Sequence, residues 1–199
     1  MHVANWFRGV VLAAGVATLG QANAGLLTVD QESVGPTNFS GSGGVTNGQS
    51  FTPSFSSIDG AEFRIRSDGA SSTLHLEVRE GQGLLGTLLG SSGQVTIDSI
   101  LSVVHFDLLS SVTLSPGSLY TLILALDSGT TFAGDISNLN PYAGGLAIDN
   151  AGSSFAGLDF WFREGTHAAQ VPEPSMLALL ALGFAGLSWN RRRKHLAAA

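Results

Sequence analysis

Residues 73–79 read Thr-Leu-His-Leu-Glu-Val-Arg, with an apolar residue at every second position. In an extended strand, successive side chains point to opposite faces. The pattern therefore places Leu74, Leu76 and Val78 on one face and three polar side chains on the other, which predicts a half-buried β-strand.

The same alternation recurs on both sides of this strand. Residues 61–66, 103–108 and 158–163 repeat it, and residues 119–126 are apolar at almost every position, which indicates a central strand covered on both faces. Weaker strand signals lie at residues 49–52, 84–88, 95–98 and 145–148. Turn signals lie at Asp68-Gly69, Glu80-Gly81, Ser115-Pro116-Gly117 and Asp127-Ser128-Gly129. Many short strands separated by such turns predict an all-β fold, an antiparallel β-sandwich that is jelly-roll-like rather than immunoglobulin-like.

The first 24 residues have the layout of a secretory signal. A short start with one arginine precedes an apolar run at residues 9–19, which is too short to span a bilayer. Ala22 and Ala24 supply the small residues that a signal peptidase requires. We therefore predict that residues 1–24 are a signal peptide with a helical apolar run, cleaved after Ala24.

The C-terminal end combines three features in a fixed order. Pro172, Glu173 and Pro174 come first, and the two prolines favour an extended, accessible segment. An apolar helix predicted at residues 176–189 would be about 21 Å long against a hydrocarbon core of about 30 Å, so it suits a transient hold in the membrane. A basic cluster that stays on the cytoplasmic side then follows, formed by Arg191, Arg192, Arg193 and Lys194. A plain C-terminal membrane helix preceded by a proline linker is the alternative.

Residues 171–199 together resemble a PEP-CTERM sorting signal. The resemblance implies that Pro172, Glu173 and Pro174 are recognised by an exosortase, a membrane protease and transpeptidase of Gram-negative bacteria that make exopolysaccharide. It also implies export, transient anchoring in the inner membrane facing the periplasm, and final delivery to the cell surface or the extracellular matrix.

Residues 25–170 remain as the exported domain, with a Gly/Ser-rich segment at residues 25–48 and a linker at residues 166–170. Residues 49–52, 114–122, 142–145 and 158–160 are similar to the β-sandwich domains of choice-of-anchor exported proteins. That resemblance implies a domain without a known activity.

The charge of the central region excludes one class of partner. Between residues 25 and 171 there are fourteen acidic and four basic residues, a net charge of −10, which argues against nucleic-acid binding. The chain has no cysteine, which excludes thiol catalysis and cysteine metal sites.

Catalytic and metal-binding patterns are sparse. His75 and His105 are predicted on polar strand faces and His167 in the linker, and their spacing is not that of a zinc site. We therefore predict that the chain has no enzymatic activity and binds no cofactor or metal. A weaker alternative is calcium in the C-terminal loops, held by Asp127, Asp135, Asp149 and Asp159.

Aromatic side chains provide the remaining binding hypothesis. A glycan would stack on exposed rings, and the candidates are Trp161, Tyr120 and Tyr142. The sequence thus predicts a non-enzymatic structural or adhesive protein, processed by signal peptidase and exosortase. A glycan-binding module that associates with exopolysaccharide is the alternative, and a secreted hydrolase is the less favoured one.

Overall fold

The computed structural model describes residues 26–139 and 142–167, which form strands, turns and loops. Their strands are β1 (Leu27–Ser33), β2 (Phe39–Gly44), β3 (Thr46–Phe51), β4 (Ser57–Ser67), β5 (Ser71–Glu80), β6 (Leu88–Ser91), β7 (Val95–Asp98), β8 (Ser102–Thr113), β9 (Tyr120–Gly129), β10 (Phe132–Ser137), β11 (Ala147–Ile148), β12 (Ser154–Phe155), β13 (Asp159–Phe160) and β14 (Phe162–His167). Within these two ranges there is no helix of the length and hydrophobicity that crossing a membrane requires. The predicted signal helix, the apolar helix and the sorting motif lie outside the described residues.

These described strands form two sheets, and the pairs among them are all antiparallel. The first sheet has the order β1-β14-β4-β10-β13, with β8 on the other edge of β4 and β2 paired to β10. The second sheet has the order β12-β11-β3-β9-β5-β6, with β7 also paired to β5. This arrangement confirms the all-β fold and the antiparallel β-sandwich, while the finer jelly-roll order stays a prediction.

The core lies between the two sheets, and the alternation in the sequence explains it. Leu74, Leu76 and Val78 of β5 are fully buried, as predicted. Strand β9 lies between β3 and β5, and its first five residues, 120–124, are buried on both faces. Phe63 of β4 packs against the rings of Phe160 and Phe162, at centroid distances of 6.4 and 6.3 Å. Apolar burial of this kind is the main favourable contribution to folding. The other large side chains that are fully buried are Phe51, Ile58, Ile65, Phe106, Leu122, Ile123, Leu124 and Phe132.

The closing strand differs from the prediction. Residues 158–163 are not one strand, because the chain changes its pairing partner at Trp161. Before it β13 pairs with β10, and after it β14 pairs with β4 and β1. Trp161 bridges the two by donating its N–H to the carbonyl of Asp135 and accepting the N–H of Arg64. Strand β14 then continues to His167, so the linker predicted at residues 166–170 is wrong for its first two residues.

Two further stretches form strands that alternation does not reveal, and a third strand begins later than predicted. The Gly/Ser-rich segment at residues 25–48 contributes β1, β2 and the start of β3. Gly41 of β2 packs closely against Ile136 of β10, because a Cβ atom at Gly41 would require the end of the Ile136 side chain to move. Strand β10 is buried at all six positions and therefore lacks a polar face. The strand predicted at residues 84–88 begins only at Leu88.

Candidate functional site

Polar side chains gather on the outer face of the first sheet, where β8, β4 and β14 lie side by side. The strand register places His105 opposite Glu62, and Glu62 opposite Arg163. Two residues along, Asp107 lies opposite Gly60. Phe106 and Ala61 point into the core, so their neighbours on each strand face outward.

Two of these outward side chains converge with His167 at the end of β14, and we call His105, Asp107 and His167 the histidine cluster. The Nε2 atoms of the two histidines are 2.9 Å apart, and the Oδ1 atom of Asp107 lies 2.9 Å from Nε2 of His105 and 3.4 Å from Nε2 of His167. Both imidazoles are partly buried, whereas the Asp107 side chain is 62% exposed.

Gly60 makes this convergence sterically feasible. A Cβ atom at Gly60 would lie 2.5 Å from Cε1 of His167, which is closer than van der Waals contact allows. The missing side chain therefore leaves the space over β4 through which His167 reaches from β14 to β8.

Both histidines are also held from the side away from the cluster. Nδ1 of His167 lies 2.8 Å from Oδ1 of Asp59, which also accepts the backbone N–H of His167 at 2.7 Å. Nδ1 of His105 lies 3.4 Å from Oε1 of Glu62. Each ring thus faces a carboxylate with one nitrogen and the cluster with the other.

A separate polar network joins the two sheets around Asp159. Its carboxylate accepts the side-chain N–H of Gln49 at 2.7 Å and the backbone N–H of Tyr142 at 2.6 Å. Burial raises the pKa of Asp159 above its ordinary value, and these two hydrogen bonds oppose the rise. Gln49 in turn accepts the backbone N–H of Phe160. Because the Asp159 carboxylate and the Gln49 amide are both engaged in hydrogen bonds, the network connects the two sheets and has a structural role.

Glu164 of β14 is the most unusual buried acid. It is completely buried, and neither carboxyl oxygen has a hydrogen bond of ordinary geometry. Burial, followed by the negative charge and the carboxyl contact of Asp30, raises the pKa of Glu164 to about 9, and the weaker contact with the backbone of Gln31 does not offset this. Asp30 itself accepts the backbone N–H groups of Ser54 and Phe55. The Glu164 carboxyl group is therefore protonated at neutral pH.

The aromatic candidates for glycan contact are all engaged in packing. Tyr120 is buried beside Phe51, and its hydroxyl accepts the backbone N–H of Ser115. Trp161 is 9% exposed, and the guanidinium of Arg163 lies 5.3 Å from its ring centroid. Tyr142 is partly buried, and its hydroxyl donates to Gln31. The structure does not bring these three rings onto one exposed surface.

The four aspartates suggested for calcium also lie apart, each with its own partner. Asp127 contacts His75, Asp135 contacts Arg64, and Asp149 accepts two N–H groups of its own turn. Asp159 belongs to the network above. Among residues 26–139 and 142–167, the only three His, Asp or Glu side chains whose donor atoms converge as a metal site requires are those of the histidine cluster.

Sequence reasoning missed the histidine cluster, although part of its signal was readable. His105 and Asp107 are two residues apart, so a strand there places both on one face. The third member, His167, joins them only because β14 and β8 flank β4.

Comparison with known proteins gives a result at the C-terminal end. Residues 170–194 match the family described as the PEP-CTERM protein-sorting motif. The comparison with curated proteins found none similar to the chain. The resemblance to choice-of-anchor domains stays a prediction. The match at residues 170–194 covers Pro172, Glu173 and Pro174, the apolar run and the basic cluster. This chain is therefore a protein that carries a PEP-CTERM sorting signal.

Proposed function

We propose that the chain is a non-enzymatic, exported protein with a structural or adhesive role, processed by signal peptidase and an exosortase and delivered to the cell surface or the extracellular matrix. The sorting motif at residues 170–194 is the observation that carries this proposal.

The described domain supports a structural rather than a catalytic role. Two of its buried acids are occupied or neutral, since Asp159 is hydrogen-bonded and Glu164, beside Gln31 of β1, is protonated. Two further acids contact basic side chains, Glu77 with Arg79 and Glu62 with Arg163 and His105. A self-contained sandwich with its two ends free for processing is suited to display on a surface.

The mass of the mature protein recovered from its native cells tests the sorting part of the proposal. We expect cleavage after Ala24 and removal of the apolar run at residues 176–189. Replacement of Pro172, Glu173 and Pro174 by alanine should leave the tail uncleaved and the protein in the inner-membrane fraction. Unchanged trimming and delivery of that variant would contradict the proposal and favour a plain membrane helix.

A matched control separates the triplet from a general effect on the tail. Alanine at Ser175, directly after the triplet, leaves both prolines and the glutamate in place. We expect this variant to be processed as efficiently as the wild type.

A glycan-binding role is the second candidate, and a cleft favours it. Strands β10, β11 and β13 border a cavity of about 260 Å³ whose lining includes Phe155, Asn47 and Asp149. The Phe155 ring is 43% exposed, as a stacking platform for a sugar requires.

Binding of the purified protein to the exopolysaccharide of its cells should be lost in Phe155→Ala and kept in Leu85→Ala, which removes an exposed side chain elsewhere. Equal binding by both variants would exclude this cleft.

A further inference from the structure

The histidine cluster brings two imidazole nitrogens and one carboxylate oxygen together, each close to the other two. Nδ1 of His105 faces Glu62, and Nδ1 of His167 faces Asp59. A carboxylate only accepts hydrogen bonds, so a neutral imidazole with its hydrogen on Nδ1 satisfies either of these contacts. Both Nε2 atoms are then left with lone pairs, and they face one another at 2.9 Å.

Asp107 makes the arrangement more demanding. Its Oδ1 atom, a third electron-pair donor, lies 2.9 Å from one Nε2 atom and 3.4 Å from the other. When both ring hydrogens lie on Nδ1, these three atoms converge as lone-pair donors without a hydrogen between them, and they repel one another. A cation at their centre converts this repulsion into attraction.

We propose that His105, Asp107 and His167 bind one divalent transition-metal ion, with Zn²⁺ as the ion that two imidazoles and a carboxylate favour. Donors about 2.0–2.2 Å from zinc are about 3.3–3.6 Å apart in a tetrahedral site. The separation of 3.4 Å between Asp107 and His167 lies in that range, and the two separations of 2.9 Å would widen by about half an ångström on binding. A fourth position faces solvent, because Asp107 is largely exposed. Hard cations such as Ca²⁺ prefer six to eight oxygen donors, which this cluster does not offer.

The surroundings have the construction of a metal site. A histidine that binds a metal normally donates its other N–H to a carboxylate, which fixes the tautomer and the ring orientation. Asp59 and Glu62 occupy those positions for His167 and His105. Gly60 supplies the space for the His167 ring. The ligands, their supporting groups and the clearance thus come from three neighbouring strands.

The location indicates what the ion does. His167 is the last residue of β14, and the sorting motif begins at residue 170. The other two ligands belong to β8, on the far edge of β4. The ion therefore ties the end of the last strand across β4 to β8, directly before the segment that sorting enzymes handle. This inference does not depend on the role proposed for the domain.

The test is zinc binding by the full chain, purified in mild detergent with a tag that contains no histidine. After treatment with a chelator and addition of Zn²⁺, elemental analysis should show one more zinc per chain in the wild type than in His105→Gln or Asp107→Asn. Zinc at a hundredfold excess over its dissociation constant should raise the Tm by about 5–10 °C. Asp107→Asn is the key variant, since an exposed side chain is replaced by one of equal size.

Two graded variants and one control sharpen the test. Glu62→Gln should weaken zinc binding by about 10–100-fold, as loss of a carboxylate behind a ligand does. Gly60→Ala should weaken it as well, by displacing the His167 ring. His75→Gln should have no effect: His75 also lies between two carboxylates, Asp127 and Glu77, but is outside the cluster.

Two results would contradict the zinc proposal. If wild type and Asp107→Asn hold the same amount of zinc and show the same Tm shift, the proposal is wrong, and the cluster is instead a pair of imidazoles sharing protons with the carboxylates. A Tm increase of the same size with Ca²⁺ would overturn the assignment to an imidazole-binding metal.

Discussion

Replacing Glu164 by glutamine should make the protein more stable at neutral and alkaline pH. The buried carboxyl group has a pKa raised from its ordinary value of 4.5 to about 9, chiefly because burial disfavours the charged form. Glutamine has nearly the same shape as the protonated acid but never ionises. The variant therefore retains the packing of β14 without the titration.

The direction in which the stability changes with pH follows from the protonation of Glu164 in the folded and unfolded chains. Between pH 4.5 and about 9, the folded chain keeps the proton on Glu164 and the unfolded chain releases it. The contribution to the free energy of unfolding is thus full below pH 4.5 and is lost progressively as the pH rises to about 9, at about 1.4 kcal/mol for each pH unit. At pH 7 the loss amounts to about 3 kcal/mol, a large fraction of the roughly 5–15 kcal/mol that stabilises a typical domain.

Urea unfolding followed by circular dichroism at pH 5, 7 and 8.5 measures this effect. The difference in unfolding free energy between Glu164→Gln and wild type should be small at pH 5 and grow steadily with pH. Glu80→Gln, which changes an exposed glutamate, is the control and should follow the wild-type curve. Parallel curves for Glu164→Gln and wild type at all three pH values would refute the reasoning.

Three other substitutions test the packing and the ties between elements. Phe63→Ala empties a fully buried site against two phenylalanine rings and should lower the unfolding free energy by about 3–5 kcal/mol in urea titrations; a loss below 1 kcal/mol would contradict the described core. Asp159→Ala leaves the Gln49 amide and the Tyr142 N–H without their acceptor and should cost about 1–3 kcal/mol by the same assay, whereas an unchanged midpoint would show that the network is dispensable. Gly165→Ala directs a methyl group into the backbone of Thr28 and should speed amide hydrogen exchange throughout β1, with exchange in β5 unchanged; slow exchange in β1 would argue against the close β1–β14 contact.

The parts of the fold that were predictable from the sequence are the strands with one solvent-facing side and one buried side. Strands β4, β5 and β8 are of this kind, and their alternation alone fixes which side chains enter the core. Strand β10 has no solvent-facing side. Gly41 in β2 indicates a tight contact only when Ile136 is known to lie opposite it. Such strands are recognised by their neighbours, which a single sequence does not supply.

The candidate site shows the same limit. The two-residue spacing of His105 and Asp107 predicts a shared face, but His167 is 60 residues from Asp107 in sequence and meets it only through the order β8-β4-β14. Trp161 is the opposite case. Alternation from Phe160 and Phe162 directs it outward, yet it is buried because the chain there switches from β10 to β4.

The pairing of β1 with β14 has a mechanical consequence. Leu27 lies opposite His167, so the two ends of the described sandwich leave it at the same corner. A tether attached through the C-terminal tail would pull β14 along its own axis while hydrogen bonds hold it on both edges, to β1 and to β4. Such a load shears many bonds at once rather than opening them one after another. A protein fastened to a cell in this way would resist the drag of flowing fluid by the geometry of its last strand.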